Sequence, residues 1–496
     1  MKKQRFAFFL CAALLAPALA LGANGKLRVC DDVADPLTLD PGKEFSEKNH
    51  TLCQQIFEGL VRFNPDGQME PALAVSWNRI DPTRMRFNLR QGVTFHNGEP
   101  FDAEAVKFTI ERLLDPKTGF PGIALISSIS RAEIVDAVTI DIVTRFPDAL
   151  LLNRLAGLVL IVPPRYIREK GDGFLAETPV GTGAFIFKKW DKGREISLSE
   201  NPNYWMKGYP KVKELTFKFI RQEDQLAALF SGKVDLLTDL PGTQTLAVMK
   251  HPGFTVKKKP VLCTMNVVLK LPSAPLNNPD VRKALNYALD KNALIRYDVL
   301  GNGRPIATFS MPGEIGHNSS LRPYEFDLKK ARRLLVKAGY PNGFTLKMVS
   351  KPGAERAAKI MAAQFKKIGV RMDVTITTDA ALIGEFASGK YDIGIGDCPD
   401  PMAHAYFVQF ITLHSKSPYS LSGIYGIDAK LEDMASAVDE KASLKKALAL
   451  DQYIYDNALS VFTYQKIAVS ALKKNLRFEL AVMRVPYFYA AYFARP

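Results

Sequence analysis

Cysteine is sparse in this chain, five residues among 496, and no two fall in the C-x-x-C spacing of a structural zinc site. Cys11 lies inside an N-terminal apolar run, too early to serve as a lipoprotein attachment site, which leaves Cys30, Cys53, Cys263 and Cys398. The spacing of these four selects no connectivity. The expectation is at most one bridge, Cys30 with Cys53 or with Cys263. Nucleotide-binding loops are missing too: the glycines of Pro179-Val180-Gly181-Thr182-Gly183-Ala184-Phe185 complete neither G-x-G-x-x-G nor G-x-x-x-x-G-K-[ST]. They are expected only to shape a tight connection into a strand. G-x-S-x-G and H-E-x-x-H are absent, and the S-x-x-K of Ser443 to Lys446 sits in a charged helical pattern without its companion motif. A secreted hydrolase therefore stands only as an alternative of another class. Beyond the N-terminus no apolar run reaches membrane-spanning length, since even Leu150 to Val162 is broken by Asn153 and Arg154. Acidic residues are fewer than basic ones, 51 against 66, but Lys257-Lys258-Lys259 and Lys445-Lys446 are too short to concentrate the excess. That argues against nucleic-acid binding.

What is present describes an exported globular protein. Hydrophobic residues at 47% and charged residues at 24% exclude a mainly disordered chain, and the length is enough for two or more domains. Lys2, Lys3 and Arg5 precede an apolar run from Phe6 to Leu15, followed by the small residues of Pro17-Ala18-Leu19-Ala20. Residues 1–20 are read as a secretory signal peptide, cleaved after Ala20 or as late as Ala23. Losing its three basic residues takes the formal charge from +15 to +12.

The strongest pattern runs from Pro71 to Leu114. Met85, Phe87 and Leu89 alternate with polar residues, the period of a strand with one buried face. After a polar corner, Asp102 can cap a helix with Val106, Ile110, Leu113 and Leu114 on one stripe, ended by Asp115-Pro116. Elsewhere the chain alternates in the same way. Leu27 to Cys30 reads as a first strand, Thr51 to Leu60 as a helix, Gln225 to Val234 as a helix leading to a strand, and Asn278 or Asp280 as the start of another helix. Asp327 to Gly339 and Ala354 to Gly369 follow as helices, the latter leading into strand Val370 to Ile376. Helices alternating with strands, without a fixed-period repeat, predict α/β layers.

The phrases IFEGLVRFNPDGQMEPALAVSW and GVTFHNGEPF, then GTGAF at 181–185, NPNYW at 201–205, DVRKALNYALD at 280–290 and AGYPNGF at 338–344, resemble the peptide-and-nickel class of extracellular solute-binding proteins that serve ABC transporters. The resemblance implies a two-lobed periplasmic binding protein fold, type II, in its large three-subdomain variant with a hinge between lobes. Lobe I would take residues 25–268 plus 475–496, with an inserted subdomain at about 71–178, and lobe II would take 269–474. The crossovers would lie near Val267 to Leu271 and Ala471 to Leu476. It further implies a periplasmic monomer without enzymatic activity or cofactor, which captures a small molecule or peptide and hands it to an inner-membrane permease and its ATPase subunits.

For the ligand site, attention falls on Asp397-Cys398-Pro399-Asp400-Pro401, where an apolar strand ends in a polar loop. By resemblance, Asp400, just before a proline, would pair with a ligand ammonium. Such relatives hold the ligand carboxylate with an arginine before the helix corresponding to 354–369. This chain has Lys351 there, a point charge rather than a fork. Asp397, Cys398, Tyr406, Tyr425 and Trp190 complete the candidate contacts. A receptor for nickel, haem or a metallophore is the alternative within the fold, with His404 and His414 as candidate ligands.

Overall fold

A computed structural model of the chain describes residues 25–31, 35–44, 46–423 and 426–495. The signal segment and Tyr425 lie outside the described residues. The stretch that reads most clearly in the sequence folds as it reads. In strand Arg84–Leu89 the side chains of Met85, Phe87 and Leu89 are buried and the alternate ones are not. It pairs antiparallel with Ala74–Asp81 and with Thr139–Thr144, and Ile129–Asp136 closes a four-stranded sheet. Helix Ala103–Leu114 starts where the Asp102 carboxylate accepts from the amides of Glu104 (3.0 Å) and Ala105 (3.2 Å). It buries Val106, Ile110 and Leu113 in the same core as Phe87, Ile140 and Ile142, at about 1.5–3 kcal/mol per large side chain.

This small sheet stands apart from a second, larger one. Among the described residues the larger sheet runs, in order, Val370–Ile376, Phe344–Ser350, Ile393–Pro399, Phe254–Leu269, Tyr464–Lys473, Leu236–Leu237, Lys26–Cys30, Glu214–Lys218, Glu195–Glu200 and Phe185–Asp191, with Gly303–Pro305 also pairing to Tyr464–Lys473. Two strands tie its halves together. Phe254–Leu269 pairs through its first part, Phe254 to Pro260, with Tyr464–Lys473, and through Cys263 to Leu269 with Ile393–Pro399. The register shifts between Pro260 and Thr264, so one continuous strand changes its main partner midway. A bulge of this kind bends and twists a strand.

Three local boundaries differ from the sequence reading; the helix expected from Gln225 to Val234 runs Gln222–Phe230. The first helix spans Glu47–Ile56 rather than 51–60, because Ser46 caps it by accepting from the Asn49 amide at 3.2 Å. Its expected last turn instead extends and pairs: the Gly59 carbonyl accepts from Leu73 and the Leu60 carbonyl from Ala74. Polar residues Glu47 to Asn49 carry no apolar period, which is why the start is hidden. The helix expected over 354–369 runs as Glu355–Phe365 and tightens into a 3-10 turn at Lys366–Ile368, ended by Gly369 at φ 86°. Gly181, in the connection into strand Phe185–Asp191, is required by close approach, since a Cβ there would lie 2.0 Å from the Ile56 carbonyl oxygen.

Candidate functional site

Between the halves of the larger sheet lies a cavity of about 380 Å3, within the size range of small-ligand sites. One wall is built from strand ends and a helix start of the first half. Asp31 follows strand Lys26–Cys30, Thr238 and Asp239 follow Leu236–Leu237, and Glu47 opens helix Glu47–Ile56. The Thr238 hydroxyl donates to the Asp31 carboxylate. The opposite wall comes from the second half: Asp298 ends helix Lys291–Asp298 and Arg356 lies in helix Glu355–Phe365. Tyr464 and Lys466 project from the strand both halves share, and the Tyr464 hydroxyl donates to Asp298. The C-terminal segment adds Arg484. Carboxylates and cations are thus interleaved around the cavity, the pattern a zwitterion or a charged amino compound would meet with complementary partners.

Behind this lining stands Asp397. Its carboxylate lies 2.5 Å from Lys351 Nζ, 3.3 Å from Lys466 Nζ and 3.8 Å from an Arg484 nitrogen. Burial raises this carboxyl, but Lys466, Lys351 and Arg484 outweigh it and hold Asp397 well below the usual carboxylate range. Arg484 also reaches Glu47 at 3.1 Å. Burial lifts Glu47 to about 7 against the pull of Arg484, helped by Asp397, Asp31 and Asp239. Two of the residues picked from sequence, Lys351 and Asp397, are therefore brought together, but as partners of each other.

Asp400 is placed differently. Its side chain is fully buried, and its carboxylate accepts from the amides of Met402 (2.7 Å) and His404 (2.8 Å). It holds its own turn and does not line the cavity. Burial pushes its carboxyl to about 7 despite those amides, and burial together with Asp400 pushes Glu314 well above its usual range. Cys398 is buried, and burial pushes its thiol well above the usual range. Tyr406 is buried beneath the Arg154 guanidinium, 4.9 Å from its ring centre. Trp190 lies in the edge strand Phe185–Asp191, and its indole N–H donates to Asp35 at 2.7 Å. None of these three lines the cavity.

His404 and His414 flank helix Tyr406–Leu413 and do not converge. His404 Nδ1 accepts from the Tyr406 amide at 3.0 Å, and burial lowers its pKa to about 3. His414 Nδ1 accepts from the Lys416 amide at 3.1 Å. Among the described residues no three His, Cys, Asp or Glu side chains are grouped to hold a metal ion. The expected bridge from Cys30 to Cys53 or Cys263 is corrected: all four cysteines are buried free thiols. Cys30 packs with Leu229 and Leu237 in one core and Cys53 with Leu52 and Phe57 in another, while the Cys263 sulfur accepts from Arg484 at 3.4 Å. The Ser443 hydroxyl donates to the Met434 carbonyl at 3.1 Å, and Lys446 pairs with Asp433 at 2.7 Å, so the S-x-x-K spacing joins no catalytic pair.

Sequence reasoning missed Glu47, Lys466 and Arg484. Lys466 did carry a signal, a cation inside an otherwise apolar strand pattern, which is rare without a partner. Arg484 carried none, because its role depends on a non-helical, non-strand segment folding back over the sheet.

Residues 68–417 match the profile of the Bacterial extracellular solute-binding proteins, family 5 Middle. The glutathione-binding protein GsiB of Pectobacterium atrosepticum is 30% identical over 346 residues, covering 68% of this chain and 66% of that protein. GsiB of Escherichia coli (strain K12) is 28% identical over 346 residues, with 68% and 67% covered. The chain thus matches about two thirds of the length of these relatives. Among solved structures, the PBP AgaA in complex with agropinic acid, from A. tumefacien R10, superposes with a TM-score of 0.82 at 25% identity, covering 95% of this chain and 99% of that one. The ABC transporter-associated periplasmic binding protein DppA from Helicobacter pylori, in complex with peptide STSA, gives 0.82 at 24% identity with 95% and 98% covered, a likeness of fold alone. The architecture is therefore the two-lobed α/β binding-protein fold expected from the sequence. A profile match across more than half the chain, on that architecture, makes this chain a member of the bacterial extracellular solute-binding proteins of family 5.

Proposed function

We propose that this protein captures a small peptide or related amino compound between its lobes in the periplasm and delivers it, unaltered, to an ABC importer. The observation that carries this reading is the cavity itself, walled by carboxylates and cations from both halves of the chain. A ligand touching both walls stabilises the closed form by its differential affinity, and the importer reads that form. The two crossovers, near Val267 to Leu271 and Ala471 to Leu476, form the hinge, and the bulge between Pro260 and Thr264 bends the strand that leads into the first of them. Lobe I then comprises residues 25–268 plus 475–496 and lobe II residues 269–474.

The inserted subdomain at about 71–178 contributes a closing contact. Asn153, in helix Leu151–Leu158, donates to the Met402 carbonyl at 2.8 Å, and the Ala149 amide donates to the Ala435 carbonyl at 3.0 Å. The relatives named for glutathione make glutathione, with short peptides, the first ligand to assay. Titration calorimetry on the purified monomer is expected to find micromolar binding to at least one of them, about 8 kcal/mol, and X-ray scattering is expected to show compaction with that ligand. Binding to none of them, or turnover of peptides by the pure protein, refutes the reading.

A further inference from the structure

We infer that Arg484 and Lys466 form a seat for a ligand carboxylate on the cavity wall, and that Asp397 is the positioning residue behind them rather than a ligand contact. The inference rests on the reading above and names the end of the ligand that this wall takes. Three cations, Lys351, Lys466 and Arg484, gather around Asp397, and Arg484 also stands near Glu47 and Asp239; with Glu47 neutral below about pH 7, the three cations face two carboxylates. Of these four groups Lys466 and Arg484 line the cavity, whereas Asp397 and Lys351 do not. A ligand reaching this wall therefore meets an excess of positive charge.

The donors of Arg484 are only partly engaged. Nε faces Glu47 at 3.1 Å, Nη1 donates to the Cys263 sulfur at 3.4 Å, and Nη2 stands 3.8 Å from Asp239, beyond hydrogen-bond reach. A guanidinium with an open edge beside an ammonium is suited to a planar, doubly accepting carboxylate. Burial favours the neutral form of Glu47 up to about pH 7, so it does not cancel the excess below that.

The segment carrying Arg484 is held in place before any ligand arrives. Val482 accepts from the Leu262 amide at 2.7 Å and donates to the Pro65 carbonyl at 2.9 Å, and the Arg484 amide bonds back to Ala481 at 3.1 Å. Arg484 itself adopts φ 60°, a left-handed conformation that a non-glycine residue keeps only when its surroundings impose it. The cavity lining also includes Asp31, a carboxylate for the ligand's ammonium. The ligand class this selects is an amino compound with a free carboxylate, lying with its acidic end toward the C-terminal segment.

The test uses the full mature protein and two probes, the dipeptide Met-Leu titrated as the free acid and as its C-terminal amide, and glutathione titrated as the free acid and with both of its carboxylates amidated. Losing a charge-assisted hydrogen-bond pair is expected to weaken binding of the amide roughly 10- to 100-fold. Lys466→Gln is expected to weaken the acid while leaving the amide nearly unchanged, and Arg484→Lys to retain part of the discrimination, since it keeps the charge and loses the fork. In Asp397→Asn the acid-to-amide ratio is expected to change, because the cations lose the group that places them, whereas a merely structural role would weaken both forms in proportion and leave the ratio as it is. Equal affinity for acid and amide in the wild type overturns this inference and leaves the wider reading standing. Failure of every probe in both forms overturns both.

Discussion

Replacing Gly157 with alanine is expected to weaken ligand binding without weakening the unliganded protein. A Cβ at 157 would stand 2.1 Å from the Pro401 carbonyl oxygen and 2.9 Å from its carbon, where ordinary contact begins near 3.4 Å. Helix Leu151–Leu158 would have to retreat by more than an ångström from the loop at 401, and backbone on the far side cannot rotate away. Overpacking of this size costs about 1–3 kcal/mol. If the cost falls on the closed form alone, as the closing role of this helix requires, affinity drops roughly 5- to 150-fold at 1.4 kcal/mol per tenfold. The intrinsic helix preference of alanine over glycine, up to about 1 kcal/mol, acts in open and closed forms alike and so cancels from the affinity. Titration calorimetry with a ligand that binds the wild type, beside thermal melts of the unliganded variant, separates the two effects. A variant with wild-type affinity and a lowered melting temperature would refute the assignment of this contact to closure.

Affinity for glutathione should fall as pH rises through about 7, because Glu47 then gains a charge beside Arg484 and reduces the positive excess; titrations at pH 6 and 8 should differ in wild type and agree in Glu47→Gln. Burial raises both carboxyls of the Asp400–Glu314 pair above their unfolded values, so the stability this pair contributes is full at low pH and is lost as pH rises and the pair gives up protons in the folded state. Urea melts across the acid-to-neutral range should show a shallower pH dependence in Asp400→Asn/Glu314→Gln than in wild type. Asp102→Ala removes the acceptor for two helix amides and should lower unfolding free energy by about 1 kcal/mol, read as a reduced urea midpoint with unchanged ligand affinity.

The elements that the sequence made legible are those whose causes are local. Asp102 and Asn278 cap the helices that follow them because each offers an oxygen to amides two or three residues on. Met85, Phe87 and Leu89 read as a buried face because alternation is a property of six consecutive residues. The start of the first helix was hidden, because the Ser46 cap precedes a polar turn with no apolar period. The cavity was hidden more deeply. Glu47, Asp239, Lys466 and Arg484 are scattered over more than four hundred positions, and only the sheet order brings them to one place. Lys351 and Asp397 were both found as candidates, yet their contact across adjacent strands Phe344–Ser350 and Ile393–Pro399 depends on a pairing that no local pattern announces.

Asp397 and Asp400 show what decides between two similar candidates. Both are aspartates, three residues apart, each shortly before a proline, so motif wording cannot separate them. The boundary of strand Ile393–Pro399 falls between the two. Asp397 is inside it, opposite Met265, and strand alternation turns its carboxylate toward Lys351 and Lys466. Asp400 is just past the end, where its amide donates to the Leu262 carbonyl at 2.8 Å and its side chain is free to fold back onto the next turn, as aspartate does in polar loops. That turn is the surface on which helix Leu151–Leu158 rests, through Asn153 to the Met402 carbonyl and Gly157 against Pro401. In the mechanism proposed above, one aspartate positions cations that line the cavity and the other shapes the contact between the inserted subdomain and the loop at 401. Neither needs to touch the ligand for its loss to weaken binding, so affinity alone cannot identify a contact residue in this cleft. Discrimination between a free carboxylate and its amide can, because it changes only when the groups facing the ligand change.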